Sequence, residues 1–229
     1  MHPWTYDEFK HIGVDFADPQ QVARYDARQR TSIERQQQLV ERLRITRDDL
    51  VIEFGPGTGA FSIAAAMAGA QVIAVDISES MLDYASRKAA EMGLATIEFV
   101  HSGFLAYQHQ GQPADFIVTQ FAFHHLPDFW KAVAVRHFHD LLKPGGHFFL
   151  RDVVFSFDPS DYEAAIQQWI DEIASENGDS FSRADFEMHV RDEYSTYGWI
   201  LEGMLQRAGF TVDATYTTPT YAEYDCVRG

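Results

Sequence analysis

Val51-Ile52-Glu53-Phe54-Gly55-Pro56-Gly57-Thr58-Gly59, followed by Val72-Ile73-Ala74-Val75-Asp76, reads as a buried strand, a glycine turn that opens a helix, and a second strand ending in a carboxylate. Glycines at 55, 57 and 59 leave the turn without Cβ atoms, so a ligand can lie against bare backbone at the positive end of the following helix. Asp76 stands where it can hold a ribose diol. The pattern belongs to nucleotide-like cofactors in general.

Outward from this stretch the same grammar continues. Apolar runs at 51–54, 71–75, 96–100, 114–120 and 146–154 are nearly continuous, as strands of a parallel sheet buried on both faces should be. Helices are expected at about 60–68 closed by Gly69, 79–92 closed by Gly93, and 128–142 closed by Lys143-Pro144-Gly145-Gly146. Alternating strands and helices predict an α/β, doubly wound sheet with right-handed crossovers. Before it, Asp18-Pro19 offers a cap with a first-turn proline, and Thr31-Ser32-Ile33-Glu34 a capping box. The helix behind that box, with Ile33, Val40 and Leu43 on one face, ends near Arg44. After the fifth strand Asp158-Pro159 caps an inserted helix that Gly178 stops. A last helix near 196–208 ends at Gly209, and runs at 210–216 and 221–228 close as a hairpin through Thr218-Pro219. The expectation is one domain over 1–229: an N-terminal helical lid at 1–48, a cofactor-binding core at 49–154, a helical acceptor-side insertion at 155–200, and a last helix with terminal hairpin at 201–229.

Composition narrows the partners. With 18 Lys plus Arg against 34 Asp plus Glu, the formal charge of -16 repels a phosphate backbone, so a small-molecule partner is expected and nucleic acid is not. One cysteine, Cys226, excludes an intramolecular disulfide, and no CxxC pair or closed Cys/His zinc set is present. A reducing, cytoplasmic setting follows as the expectation. The N-terminus shows no signal architecture, and no run approaches the ~18 apolar residues of a membrane span.

Three neighbours of the glycine turn give it a family. Glu53 precedes the first glycine by two residues, the spacing is Gly-x-Gly-x-Gly, and Gln120-Phe121-Ala122-Phe123-His124-His125-Leu126 precedes Leu142-Lys143-Pro144-Gly145-Gly146. From about Val51 to the C-terminus the chain resembles the class I S-adenosylmethionine-dependent methyltransferases. The resemblance implies a Rossmann-like seven-stranded sheet with a C-terminal antiparallel hairpin strand, S-adenosyl-L-methionine as cofactor, and methyl transfer to a small-molecule acceptor. It implies that Glu53 orders the glycine loop and the amino acid end of the cofactor, which the backbone of Gly55, Pro56, Gly57 and Gly59 approaches. Asp76 matches the ribose carboxylate, with Ile77 and Met81 on the two faces of adenine. Ser102, Gly103 and Phe104 match the loop that reads the adenine amino group, although family members often carry Asp where Ser102 stands. Gln120 and Phe121 match the backbone that passes the methionine part, and Tyr25 or Arg30 is placed to reach the cofactor carboxylate as the lid closes.

Gly55-Pro56-Gly57-Thr58-Gly59-Ala60 also satisfies GxGxxA, which leaves a dinucleotide-dependent oxidoreductase open, although Tyr84-Ala85-Ser86-Arg87-Lys88, at the spacing of a Tyr-x-x-x-Lys pair, falls by chance on the helix after the second strand, away from the site. A non-catalytic sensor or partner subunit that binds the cofactor is also open. For catalysis, methyl transfer from a sulfonium is an in-line displacement that needs alignment and a dry site, with a base only for poor nucleophiles. Candidates are His124, His125, Asp152 and Tyr194 or Tyr197, with His125 the expected proton acceptor because imidazole suits neutral pH. One of the adjacent histidines is expected to be structural, since neighbours in sequence face apart, and no metal site is expected; Cys226 reads as a small core residue. The acceptor pocket is expected between the N-terminal segment and the aromatic-rich insertion. Residues 155–200 carry 11 Asp plus Glu against Arg183 and Arg191, which disfavours a polyanionic acceptor.

Overall fold

The five apolar runs become the parallel strands β1 (Leu50–Phe54), β2 (Gln71–Asp76), β3 (Ile97–His101), β4 (Ala114–Gln120) and β5 (Leu142–Phe155) of a computed structural model that describes residues 2–10, 22, 32–176 and 182–229. A two-residue β6 (Thr196–Tyr197) pairs with β5, and β7 (Phe210–Thr218) and β8 (Tyr221–Arg228) form the closing hairpin. The path runs β3-β2-β1-β4-β5-β8-β7, with β8 antiparallel to both its neighbours and β6 off the path. This is the Rossmann-like seven-stranded sheet with its C-terminal antiparallel hairpin. Among the described residues β6 adds a short eighth strand.

Side chains of β1 alternate between two cores. Ile52 and Phe54 join Ile117, Phe138, Phe148 and Tyr224 on one face, while Val51 joins Phe61, Val72, Val118 and Phe149 on the other. Helices α1 (Ile33–Leu43) and α2 (Ala60–Met67) cover the second face through Leu39, Val40 and Ala64. Helix α3 (Glu79–Glu91) packs on β2 and β3, and α4 (Asp128–Leu141) lies on the first face through Ala134 and Phe138. Both faces are thus covered, which is why the strands carry apolar residues at nearly every position. Cys226 is fully buried in β8 opposite Phe148, and burial pushes its thiol far above the ordinary range.

Chain punctuation follows local chemistry, with four shifts from expectation. The cap of α1 is Ser32, whose hydroxyl accepts the Arg35 amide at 3.3 Å, one residue later than a Thr31–Glu34 box would put it. The Lys143–Gly146 turn is absorbed into β5, because Leu142 already pairs with Ala114 and an irregularity between Ala114 and Phe116 takes up the extra residues. The insertion holds two described helices, α5 (Tyr162–Glu176) and α6 (Arg183–Asp192), the second opened by a reciprocal Ser182–Asp185 capping box; Gly178 lies outside the described residues. The last helix, α7 (Gly198–Ala208), starts at Gly198 because Thr196 and Tyr197 pair with Val154 and Phe155.

Gly59 and Gly93 separate two costs of placing a side chain at positive φ. Both are left-handed, at 81° and 71°, but a Cβ on Gly59 would sit 2.8 Å from the Ala85 Cβ of α3, whereas one on Gly93 meets nothing within 4 Å. Urea unfolding should show Gly93→Ala destabilised by about 1 kcal/mol, from backbone strain alone. Gly59→Ala should lose about 2 to 3 kcal/mol, because overpacking adds to that strain.

Candidate active site

β1 pairs with β2 on one side and β4 on the other, so the chain leaves the carboxyl ends of these strands in opposite directions and opens a crevice there. The glycine turn forms its floor. The Gly55 amide donates to the Val75 carbonyl at 2.9 Å, and a Cβ on Gly55 would sit 2.5 Å from the Ala122 Cβ after β4, so the two strand ends meet only because residue 55 has no side chain. Asp76 accepts from the Gly57 amide at 3.3 Å and the Ser78 amide at 2.9 Å. Burial pushes its carboxyl up to about 6 against those bonds.

The resulting cleft, counted with the open solvent at its mouth, spans about 920 Å³. Of the residues expected at a cofactor site, Gly55, Gly57, Asp76, Ile77, Met81, Ser102, Gly103, Phe104 and Phe121 line it, and so does His125. Glu53, Pro56 and Gln120 instead line a second hollow of about 530 Å³, shared with Gln36 and Arg151, whose walls also include Gly55, Gly57 and Phe121. Glu53 is buried and accepts the Ser62 hydroxyl; burial pushes it up to about 7. Gly59 lines neither space and acts as the left-handed cap of α2. Tyr25 and Arg30 lie outside the described residues.

Three features here carry no local sequence signal. Phe121 is left-handed at φ 52°, its amide held by the Arg151 carbonyl at 2.8 Å. Arg151 reaches Gln120 at 3.0 Å and Glu223 at 2.7 Å, and Glu223 also holds Arg42 of α1 at 2.7 Å. Glu8 folds in from the N-terminal segment, accepting the Leu105 amide at 3.0 Å and the Ala106 amide at 2.8 Å while its carboxylate presses on Gly103. Burial raises the Glu8 carboxyl although these amides pull it down. A carboxylate therefore stands beside Ser102 although residue 102 is not acidic, supplied by a residue 97 positions from the Leu105 amide that it accepts.

The expected catalytic residues also come together. His124 and His125 lie in a 3-10 turn, Phe123–His125, with ring centroids 4.4 Å apart, so the expectation that neighbours would face apart does not hold. The tight turn tilts both rings to one side. Asp152 of β5 is buried and lies 2.5 Å from His124 Nδ1 while accepting the His124 amide at 3.0 Å. Burial acts to lower the His124 imidazole, but Asp152 outweighs it and raises it above its ordinary value; the same pairing keeps Asp152 below the ordinary carboxylate range despite burial. His125 is pulled down to about 4 by burial and by His124, so its ring is neutral. The Tyr194 amide donates to the His124 carbonyl at 2.8 Å, and Tyr6 donates to the His125 carbonyl at 3.3 Å. Glu193, which drew no attention in the sequence, lies 3.3 Å from His124 Nε2. Among the described residues the aromatics of the insertion do not line the cleft: Trp169, Phe155 and Phe186 pack with Val153 and Tyr221 and seat α5 and α6 on the sheet.

Residues 51–146 match the methyltransferase domain family. A methyltransferase of Anoxybacillus flavithermus, itself without an assigned substrate, is 33% identical over 167 residues, covering 73% of this chain and 72% of the relative. The chain belongs to the class I S-adenosylmethionine-dependent methyltransferases. In fold, the enzyme is similar to a SAM-dependent methyltransferase from Aquifex aeolicus (TM-score 0.65, 16% identity, 93% of this chain and 99% of that one). It is also similar to the magnesium protoporphyrin IX methyltransferase of Synechocystis with bound SAM (TM-score 0.58, 20% identity, 97% and 88%). S-adenosylmethionine is its cofactor. The bare cradle at Gly55 and Gly57 and the carboxylate of Asp76 in one cleft fit that cofactor. No helix among the described residues is long and apolar enough to cross a membrane.

Two titrations with S-adenosylhomocysteine probe this methyltransferase's cleft. Because the Asp76 carboxyl ionises only above about 6, affinity should be about tenfold weaker at about pH 5 than at about pH 7, whereas Asp76→Asn should bind weakly and equally at both. Glu8→Ala should weaken binding by about threefold to tenfold, the loss of roughly one charge-assisted contact and of the segment it ties down.

Proposed function

We propose that this methyltransferase acts on a small-molecule acceptor that enters the cleft beside His125, Tyr6 and Leu126. The observation that carries the reading is that these three residues line the same cleft as Asp76 and Gly57, so an acceptor there shares one cleft with the cofactor's position. The cofactor supplies an electrophilic methyl on a sulfonium when bound. In this reading Asp76 holds the ribose diol, Ile77 and Met81 flank the adenine, Ser102, Gly103 and Phe104 border it with Glu8 at its edge, and Gly55 and Gly57 admit the chain toward sulfur. Glu53, Pro56, Gln120 and Phe121 shape the loop from the second hollow. The described N-terminal residues Tyr6 and Glu8 border the acceptor side, while 49–154 and 201–229 form the cofactor-binding core and its closing hairpin.

His125 supports orientation better than strong base catalysis. An imidazole pulled down to about 4 is neutral and has a free lone pair, but it holds a proton weakly. A ring nitrogen of His125 hydrogen-bonds the acceptor and turns the attacking lone pair toward the methyl. His124 and Asp152 fix the turn beneath it, and Tyr6, which donates to the His125 carbonyl at 3.3 Å, lines the cleft beside it. The formal charge of -16 and the acidic 155–200 segment favour neutral or cationic acceptors over polyanionic ones.

A panel of phenols, thiols and amines, read by S-adenosylhomocysteine formation, tests the reading. Turnover is expected with one class of small acceptor. His125→Ala should lower kcat/KM by about 10- to 100-fold, with S-adenosylhomocysteine affinity within about twofold of wild type. Silence across the panel with intact cofactor binding would replace the proposal with the sensor reading.

A further inference from the structure

The buried polar cluster behind His125 has more order than a hydrogen-bonded turn requires. His124, His125 and Glu193 each offer one ligating atom, and these atoms lie within 4.8 Å of one another. The His124 Nε2 to Glu193 oxygen separation is 3.3 Å. Two ligands about 2.0 to 2.1 Å from a tetrahedral zinc ion stand about 3.3 Å apart, so this pair already has the edge length of a coordination tetrahedron. We propose that His124, His125 and Glu193 hold a divalent transition-metal ion of the zinc type at the acceptor end of the cleft, with the fourth position open toward the acceptor.

The surroundings match what such a site needs. A metal-ligating imidazole presents one nitrogen to the ion and donates the other N–H to a carboxylate, which fixes the ring and its tautomer. His124 does this: Nδ1 lies 2.5 Å from Asp152, leaving Nε2 toward Glu193. Glu193 is itself held by His189, whose Nε2 lies 2.8 Å from the Ser195 hydroxyl. Lys131, the nearby cation, is turned away onto Asp128 at 2.9 Å and the Tyr194 carbonyl. Two imidazoles and one carboxylate make the donor set of open, three-ligand sites that admit a fourth ligand. Because His125 also lines the cleft, that ligand would come from the acceptor side. The catalytic use of the ion rests on the proposed acceptor placement, whereas the site itself does not. An ion held there would supply Lewis acidity, lowering the pKa of an acceptor heteroatom presented to its open position.

The full-length enzyme, freed of metal by chelation, is titrated with Co²⁺ followed by visible absorption and with Zn²⁺ followed by elemental analysis after gel filtration. About one equivalent of each ion should bind, with the Co²⁺ band intensity of a tetrahedral N/O site. His125→Ala and Glu193→Gln should abolish the stoichiometric ion, and His189→Ala should keep it with about 10- to 100-fold weaker affinity. His124 is buried against Asp152, so its replacement is not used; S-adenosylhomocysteine binding confirms that the two ligand variants stay folded. Wild type that binds no stoichiometric ion, or Glu193→Gln that binds as wild type does, overturns the site. Metal binding without turnover on any acceptor sustains the site and overturns the small-acceptor reading. Turnover without any bound metal does the reverse.

Discussion

The parallel pairing of β1 with β2 and β4 is the constraint from which the cleft follows. A central strand whose neighbours connect on opposite sides cannot have both crossovers above its own carboxyl end, and the space left over is where a ligand sits. The gap is narrow: the Gly55 position and Ala122 are so close that any side chain at residue 55 would wedge the two strand ends apart. The floor of the site is therefore bare backbone by necessity, and Asp76 is drawn to that floor by the Gly57 amide. Cores on both faces of the sheet hold the strands at this spacing, so the precision of the cleft is inherited from packing well below it.

Charge adds a second layer. Glu8, Glu53 and Asp76 are three carboxyls at or behind the cleft, each raised by burial and each partly relieved by amide or hydroxyl donors. Together with a net charge of -16 they make the site more attractive to a sulfonium than to the neutral thioether left after transfer. The same field that draws in the cofactor thus weakens on turnover, which favours exchange of product for fresh cofactor.

Most of the architecture was legible because it depends on local pattern. Continuous apolar runs, helix-stopping glycines at 69, 93 and 209, and the acidic residue closing β2 are short-range signals, and every strand but the two-residue β6 was placed within a few residues. What was illegible depends on distance. Glu8 meets the 103–106 loop across 97 positions, Gln36 meets Gln120 across 84, and Glu193 reaches His124 only after α6 has returned the chain to the turn. The side-by-side histidines were misread for a different reason: alternation applies to extended chain, and a 3-10 turn of three residues breaks it. The aromatic insertion looked like a pocket wall because rings serve equally well to pack two short helices, and composition cannot tell these uses apart.

Cys226 gives the fold a chemical meaning as well as a packing one. An enzyme that holds an activated methyl is exposed to methylation of its own nucleophiles, and thiolate is the strongest nucleophile a protein offers at neutral pH. This chain has a single thiol, fully buried between β5 and β7 and kept protonated by that burial. It is therefore inert while β8 stays in the sheet. Its reaction with an alkylating reagent becomes a clock for the opening of that strand, recording how often the closing hairpin lets go.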